Sequence, residues 1–319
     1  MNKRSLKGAL ALILCLSLLP GCQKGEAQTA APAATQAPET TLPTAVAVAV
    51  VPAEVSAPLP ETPEPTLAPM QVPEQTAAPT AAPTAAPTRM PVSDEQLDSG
   101  YLDSWFDGAV LVGDSLVAGL SGYVTNERAN KTPCLGDMKL VSASALTLKK
   151  AVECERQERG AELKYKTIYM TVSQVVSATE AKRLFVMLGV SDLRWYSAQE
   201  LIEQYGALLE LVKAEHPDIK IYIHSLMPMI EDYARQVELD GETRRSANRE
   251  LKAFCEAQGY TYLELGEPVC DEQGYLIPDY SAQDFRFHLN SRGKALWVRL
   301  LREQAREEYE QGLWTLEEE

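Results

Sequence analysis

Basic residues, histidine and long apolar runs are all scarce in this 319-residue sequence. Lysine and arginine total 30 against 45 aspartates and glutamates, which gives a formal net charge of -15. Because so acidic a chain is repelled by phosphate backbones, we expect no nucleic-acid partner. The longest apolar run near the N-terminus, residues 9–19, is too short to span a bilayer.

Cysteine is present, but not in an arrangement that holds a metal ion. No pair among the four cysteines after the N-terminal segment has the spacing of metal ligands. These four are Cys134, Cys154, Cys255 and Cys270. Outside the cell they could form disulfides in three different pairings, and buried free thiols are an equal alternative, so the sequence leaves their state open.

Residues 1–22 have the pattern of an export signal, with three basic residues before the apolar run 9–19. The four residues 19–22, Leu-Pro-Gly-Cys, resemble a bacterial lipobox, in which the cysteine is lipidated after cleavage. We therefore predict that Cys22 anchors the chain through a lipid to the outer face of a bacterial cell membrane. An ordinary signal peptide cut nearby is the alternative.

Residues 23–95 are dominated by alanine, proline and threonine, and the tetrapeptide Thr-Ala-Ala-Pro occurs three times in succession over 76–87. Such a composition cannot bury enough apolar surface to fold. Frequent proline makes it an extended, semi-rigid spacer. We therefore predict a disordered linker over 23–95 and one folded domain over 96–319.

Within the domain, five short apolar runs alternate with helical patterns. This alternation predicts an α/β fold, a three-layer sandwich with a five-stranded parallel sheet covered by helices. The strands are expected at 109–112, 138–141, 183–188, 219–225 and 260–265.

Helices are predicted from the Ser197 capping box to Pro217, from about 244 to 257, and after Asn290. The charged segment 153–171 interrupts the alternation and is expected to be a loop or hairpin insertion. The glutamate-rich end, 307–319, is expected to be a solvated helix end.

The run Gly-Asp-Ser-Leu at 113–116 lies where the first strand ends and a helix begins. A serine at such a turn is a candidate nucleophile, because the N–H groups that open the helix can hold a developing oxyanion. Gly-Asp-Ser is also ordinary turn chemistry. Whether Ser115 is a nucleophile or a turn residue therefore depends on which other side chains lie beside it.

Two other segments are expected at the same edge of the sheet, beyond the carboxyl ends of the parallel strands. Ligands bind at this edge in such sheets. One is Gly-Val-Ser-Asp at 189–192, and the other is the loop that carries His288. Of the three histidines, His216 precedes a proline at a helix end and His224 lies inside a strand. His288 is therefore the candidate general base, with Asp284 close enough in sequence to orient its ring.

Together these segments resemble the SGNH/GDSL hydrolases, serine esterases with four blocks that contribute Ser, Gly, Asn and His. Residues 113–116 match the first block, 189–192 the third and 284–288 the last, over about 105–302 of the chain. The resemblance implies a flavodoxin-like fold and a catalytic Ser115, His288 and Asp284, without metal or cofactor. It also implies an oxyanion site at Ser115, Ala145, Ser191 and Gly189.

The chain departs from the family pattern at three positions. Ser191 stands where the family has asparagine, and Ala145 stands where it has the glycine of the second block. Asp284 lies four positions before His288 instead of three, so Asp279 is an alternative partner. Ala145 retains the backbone N–H that would bind the oxyanion, provided its conformation suits alanine.

A lipid-anchored domain on a long spacer meets polymers outside the cell. We therefore expect a cell-surface esterase that removes small O-acyl groups, such as acetyl, from carbohydrate or cell-wall polymer. Its partners would be an acylated carbohydrate or another small ester. A surface binding module with weakened catalysis and an O-acetyltransferase are the alternatives.

Overall fold

The computed structural model describes residues 90–282 and 286–316. Seven strands lie in this part of the chain. They are β1 (Ala109–Gly113), β2 (Lys139–Ser142), β3 (Leu163–Tyr165), β4 (Ile168–Met170), β5 (Arg183–Met187), β6 (Lys220–His224) and β7 (Thr261–Leu263).

Five of these strands form one parallel sheet in the order β2-β1-β5-β6-β7. In the register, Ala109 of β1 lies opposite Arg183 of β5, and Arg183 opposite Lys220 of β6. All five residues of β1 are buried, as expected for a central strand covered on both faces. The predicted α/β fold with a five-stranded parallel sheet is confirmed.

The insertion contains the antiparallel hairpin β3-β4, which forms a separate two-stranded sheet. Eight α-helices flank the strands in the described ranges. They are α1 (Asp94–Ser99), α2 (Ser115–Ala129), α3 (Leu148–Glu155), α4 (Val172–Thr179), α5 (Ala198–Glu215), α6 (Glu231–Gln236), α7 (Gly241–Gln258) and α8 (Ser291–Glu310).

Side-chain caps set the starts of the long helices. Ser197 and Glu200 form the predicted capping box of α5. Asp240 accepts the Thr243 N–H, so α7 begins three residues before the predicted start at 244. Asn290 caps α8, and this fixes the point where the loop of His288 enters the helix.

The packed chain begins before residue 96, the predicted start of the domain. Val92 is buried, and Leu97 of α1 is fully buried. Asp94 forms ion pairs with Arg299 and Arg306 of α8. Helix α1 therefore begins two residues before the predicted boundary, because six residues of helix are too few to show in a composition that changes gradually from the linker.

The end of α8 was predicted to be solvated, but one of its glutamates is buried. Glu308 is buried, and its carboxylate accepts the Trp105 indole N–H at 3.2 Å and the Tyr222 hydroxyl at 2.7 Å. A buried carboxylate is tolerated where such donors satisfy it. Glu308 therefore links α8 to the core, although its neighbours in the sequence are charged.

A buried ion pair fixes α8 against the turn that leads into β1. The Arg302 guanidinium forms two parallel hydrogen bonds to the Asp103 carboxylate, 2.7 Å from Nε and 2.8 Å from Nη2. Bidentate geometry gives this contact a defined direction. The pair therefore fixes the position of α8, the helix that follows the loop of His288.

The four domain cysteines are free thiols in the structure, and three of them, Cys134, Cys154 and Cys255, are buried. Across 90–282 and 286–316, no helix combines the length and the apolar character needed to cross a membrane.

Candidate active site

Ser115 is the first residue of α2 and follows β1 after a tight turn. Asp114 is the cap of this helix, and its carboxylate accepts the Leu116 N–H at 2.8 Å. At Gly113 a Cβ would lie 2.5 Å from the Met187 carbonyl oxygen and from a methyl group of Val117, so only glycine fits. The turn therefore places Ser115 at the carboxyl edge of the sheet.

Ser115 and His288 are in direct contact although 173 residues separate them in the sequence. The Ser115 Oγ lies 2.8 Å from the His288 Nε2. The loop is held by the Ala282 N–H, which donates to the His288 carbonyl at 2.7 Å, and by a bridge between Ser281 and Leu289. A hydroxyl within hydrogen-bonding distance of an imidazole has the geometry of an activated nucleophile.

The acid expected beside His288, Asp284, lies outside the described residues. The alternative, Asp279, is directed elsewhere: its carboxylate pairs with Arg292 at 3.0 Å on the surface. Its side chain is 69% exposed. The Asp279 carboxylate therefore forms its ion pair with an arginine of α8.

Asp114 is a buried acid next to the nucleophile, and the sequence alone did not assign it to the site. Burial raises its pKa from 3.8 to about 6, against the stabilising Leu116 N–H and the nearby positive potential of His288. A second buried acid, Asp192, contributes to the rise. The position of Asp114 before a helix predicts that it caps the helix. Its burial could not be predicted in the same way, because it arises from the packing of the surrounding elements.

The loop between β2 and α3 carries Ala145. Its φ angle is 59°, in the left-handed region that favours glycine. For alanine this conformation costs about 1 kcal/mol. The exposed Ala145 is nevertheless held there, with its carbonyl accepting the Lys150 ammonium at 2.9 Å.

Ser191 lies half-buried in a tight turn after β5. The turn begins at Gly189, whose carbonyl accepts the N–H groups of Asp192 and Leu193 at 3.0 and 3.2 Å. Gly189 has a φ of 106°, and a Cβ there would lie 3.0 Å from a Leu226 methyl carbon. The role of Gly189 in this turn is therefore to allow its backbone shape.

Asp192 connects this turn to the Ala145 loop, a contact that the sequence did not reveal. Its buried carboxylate accepts the N–H of Leu148, the first residue of α3. Burial raises the pKa of Asp192, while backbone N–H groups oppose the rise. The two loops proposed to hold an oxyanion thus share one carboxylate.

A cavity of about 240 Å³ opens beside the Ser115–His288 pair. It lies between the start of α2, the histidine loop and the first turns of α8. Its walls are formed by Ser115, Leu116, Gly119, Ala282, His288, Leu289, Lys294 and Trp297.

The other two histidines have structural positions, as predicted. His216 ends α5, and its Nε2 lies 3.0 Å from the Ser173 carbonyl oxygen. His224 is fully buried, and burial lowers its pKa to about 3. Its ring nitrogens have no hydrogen-bond partner among the residues that the structure describes.

Residues 111–296, which include the turn of Ser115, residues 189–192 and His288, match the sequence model of the GDSL-like Lipase/Acylhydrolase family. The chain belongs to this family. The resemblance carried by the sequence blocks is therefore confirmed.

Three solved structures that are similar to this GDSL-like family member have low sequence identity to it. A GDSL-like lipase from Bacteroides thetaiotaomicron is 16% identical with a TM-score of 0.49, over 64% of this chain and 90% of that one. A carbohydrate esterase family 3 protein from Talaromyces cellulolyticus is 15% identical with a TM-score of 0.41, over 61% and 95%. A carbohydrate acetylesterase from Sinorhizobium meliloti is 13% identical with a TM-score of 0.39, over 61% and 97%. No curated protein matches the chain.

Proposed function

We propose that this chain is a serine esterase in which Ser115 is the nucleophile and His288 the general base. The observation that carries the proposal is the 2.8 Å distance between the Ser115 Oγ and the His288 Nε2. The pair lies at the carboxyl edge of a parallel sheet and beside a cavity, which is where an α/β protein binds its substrate.

In the proposed reaction, His288 takes the proton of the Ser115 hydroxyl as the Oγ attacks the ester carbonyl carbon. The tetrahedral intermediate collapses to an acyl-enzyme when His288 gives that proton to the departing alcohol oxygen. Water, deprotonated by His288, then attacks the acyl carbon and releases the acid together with the free serine. Asp284 is proposed to orient the imidazole and stabilise its cation.

The oxyanion is proposed to bind the N–H groups of Ser115 and Ala145 and the hydroxyl of Ser191. Ser115 opens α2, and N–H groups in a first helical turn have no acceptor within the helix. The Asp192 carboxylate supports the arrangement, since it ties the turn of Ser191 to the start of α3. Gly189 shapes the turn.

We propose small O-acyl groups on carbohydrate or cell-wall polymer as the substrate class. Two cavities beside the nucleophile support a carbohydrate as the alcohol portion. Ser115 lines one of about 240 Å³. A neighbouring cavity of about 400 Å³ shares Ala282 with it and includes Glu231, Asp271 and Tyr275 in its lining, which leaves room for a longer polymer.

The site of action is proposed to be the outer face of a bacterial cell membrane, with a lipid on Cys22 as the anchor. The support is the basic and apolar pattern of residues 1–22 and the spacer that follows them. Labelling cells with a radioactive fatty acid tests this: Cys22→Ala should abolish incorporation into the chain.

Hydrolysis of 4-nitrophenyl acetate tests the esterase. Ser115→Ala and His288→Ala should each lower kcat/KM by about a thousandfold or more. Ser121→Ala, on the same helix but outside the cavity, is the matched control and should keep wild-type turnover. Equal rates for wild type, Ser115→Ala and His288→Ala would overturn the proposal and favour a binding module, for which the substituted Ser191 is the supporting observation.

A further inference from the structure

The Lys294 ammonium lies beside Gly119 of α2, one helical turn after the nucleophile Ser115. It belongs to α8 and lines the cavity shared with Ser115 and His288. A Cβ on Gly119 of α2 would lie 3.4 Å from the Lys294 Cε and 3.7 Å from its Nζ. Gly119 follows Ser115 by four residues, so both lie on one face of α2, about 6 Å apart along its axis.

This ammonium has no partner among the residues that the structure describes. The arginines of α8 differ, because they pair with carboxylates: Arg292 with Asp279, Arg299 with Asp98, Arg302 with Asp103 and Arg306 with Asp94. Lys294 is half-buried, and burial lowers its pKa. A partly desolvated, unpaired cation gains free energy when an anion binds beside it.

The cavity that Lys294 lines also contains the group proposed to act on the departing alcohol. Its wall includes His288, which in the proposed reaction protonates the departing oxygen. Of the three residues proposed to bind the oxyanion, Ala145 and Ser191 are not part of that wall. The alcohol portion of an ester is therefore the portion that reaches Lys294.

We propose that this cavity binds a carboxylate or phosphate on the alcohol portion of the ester, and that Lys294 recognises the negative charge. The inference rests on the proposed esterase function and narrows its substrate class to anionic esters. Lysine suits this task because its ammonium is a point charge that pairs with either anion without a fixed geometry.

The size and lining of the cavity fit one ring with an anionic substituent. A cavity of about 150 Å³ holds benzene, and this one measures about 240 Å³. Leu116, Leu289 and Trp297 supply apolar walls for a ring. Lys294 lies over Gly119 of α2, beside this apolar wall.

A matched pair of acetate esters tests the proposal with the full-length protein. 4-Acetoxybenzoate carries a charge, whereas 4-acetoxybenzamide has nearly the same size and is neutral. The wild type should favour the benzoate by about tenfold in kcat/KM, mainly through KM, as one charge pair in a partly desolvated site allows. 4-Acetoxyphenyl phosphate provides the second arm: the better of the two anions identifies the charged group, carboxylate or phosphate.

Variants of Lys294 should change this ratio. Lys294→Gln should bring the benzoate-to-benzamide ratio to about one, and Lys294→Glu should reverse it, because the charge in the cavity is removed or inverted. Lys220→Gln removes the same charge at the start of β6, at the opposite edge of the sheet, and should keep the wild-type ratio. No anion preference in wild type, or a ratio unchanged in Lys294→Gln, would overturn the inference.

A binding measurement separates this inference from the esterase proposal. In Ser115→Ala, calorimetry should detect 4-hydroxybenzoate binding about tenfold more tightly than 4-hydroxybenzamide. Adding Lys294→Gln should remove the difference. If no ester is cleaved but the benzoate binds selectively, only the esterase fails; if esters are cleaved without anion selectivity in rate or binding, only this inference fails.

Discussion

The carboxylate of Asp192 accepts the backbone N–H of Leu148 through both of its oxygens, at 3.1 and 3.0 Å. The pair is buried and separated by 44 residues. One oxygen also lies 3.4 Å from the Lys149 nitrogen. Asp192 therefore acts on the first turn of α3 as a cap from another loop, and it fixes the distance between the turn of Ser191 and the loop of Ala145.

Replacing Asp192 by alanine should disrupt both stability and turnover. The buried Leu148 N–H would lose its acceptor, which costs about 1–3 kcal/mol in the free energy of unfolding. The Ala145 loop would also lose its tether, and kcat should fall by about tenfold or more. Urea unfolding and ester hydrolysis measure the two effects.

Asp192→Asn is the matched variant, since the amide oxygen still accepts one N–H. It should retain more turnover than Asp192→Ala. The exposed Asp218 provides a control of equal charge, and Asp218→Ala should leave both measurements unchanged. Wild-type kcat in Asp192→Ala would show that the connection between the loops has no role in the reaction.

Ser191→Asn should raise kcat for a short-chain ester by about tenfold. The longer amide side chain extends farther from the same turn, and one well-placed oxyanion donor is worth about a hundredfold to a thousandfold in rate. Ser191→Ala should lower kcat, because it removes the hydroxyl that is present. Steady-state kinetics measure kcat for both variants. A fall in kcat for the asparagine variant would mean that the site has adapted to serine.

Ala145→Gly should increase stability. At a φ of 59° alanine is strained and glycine is not, so the free energy of unfolding should rise by about 0.5–1 kcal/mol despite the greater freedom of glycine in the unfolded chain. Ala143→Gly, in the same loop but without a positive φ, should lose stability. Thermal unfolding of the two variants tests the contrast, which fails if both shift in the same direction.

The stability contributed by Asp114 should depend on pH. Its folded-state pKa of about 6 exceeds the ordinary 3.8, so the folded protein holds this proton more tightly than the unfolded chain. The resulting stability is fully present below about pH 3.8 and is lost as the pH rises through about 6. Asp114→Asn keeps the cap acceptor without the buried charge, and it should be more stable than wild type by about 2 kcal/mol near pH 7.5.

Urea unfolding near pH 4 and near pH 7.5 measures this difference, and the gain should disappear at the lower pH. Asp240→Asn is the control, because Asp240 also caps a helix but has its pKa lowered by the Thr243 N–H. Its replacement should give no gain near pH 7.5. Equal gains for Asp114→Asn at both pH values would exclude burial of the charge as the cause.

Much of the sheet could be predicted from the sequence because parallel strands covered on both faces are continuous apolar runs. The run 109–112 became β1, and the capping box at Ser197 gave the start of α5. Short helices such as α1 and α3 were not predicted, because a turn or two of helix depends on tertiary packing for its stability. The burial of Glu308 was missed for a similar reason: its donors lie on distant elements.

In the candidate site, Ser115 and His288 could be chosen from the sequence because each belongs to a motif with a position in the predicted fold. Asp192 and Lys294 could not be assigned their contacts in the same way. Asp192 accepts an N–H group from the start of α3, and Lys294 of α8 lies over Gly119 of α2. Such contacts have no local signature, since the two partners lie on different elements.

The sequence by itself determined the α/β fold, the family and the choice of Ser115 and His288 as candidate site residues, because these follow from apolar periodicity and from motifs that are local in the chain. Only the tertiary structure decided that the Ser115 Oγ lies 2.8 Å from the His288 Nε2 and that Ala145 has a left-handed backbone. It also decided that Asp114 is buried and that Lys294 lines the cavity unpaired among the described residues. Distance, burial and the lack of a partner arise from the packing of elements far apart in the chain, and no local pattern contains them.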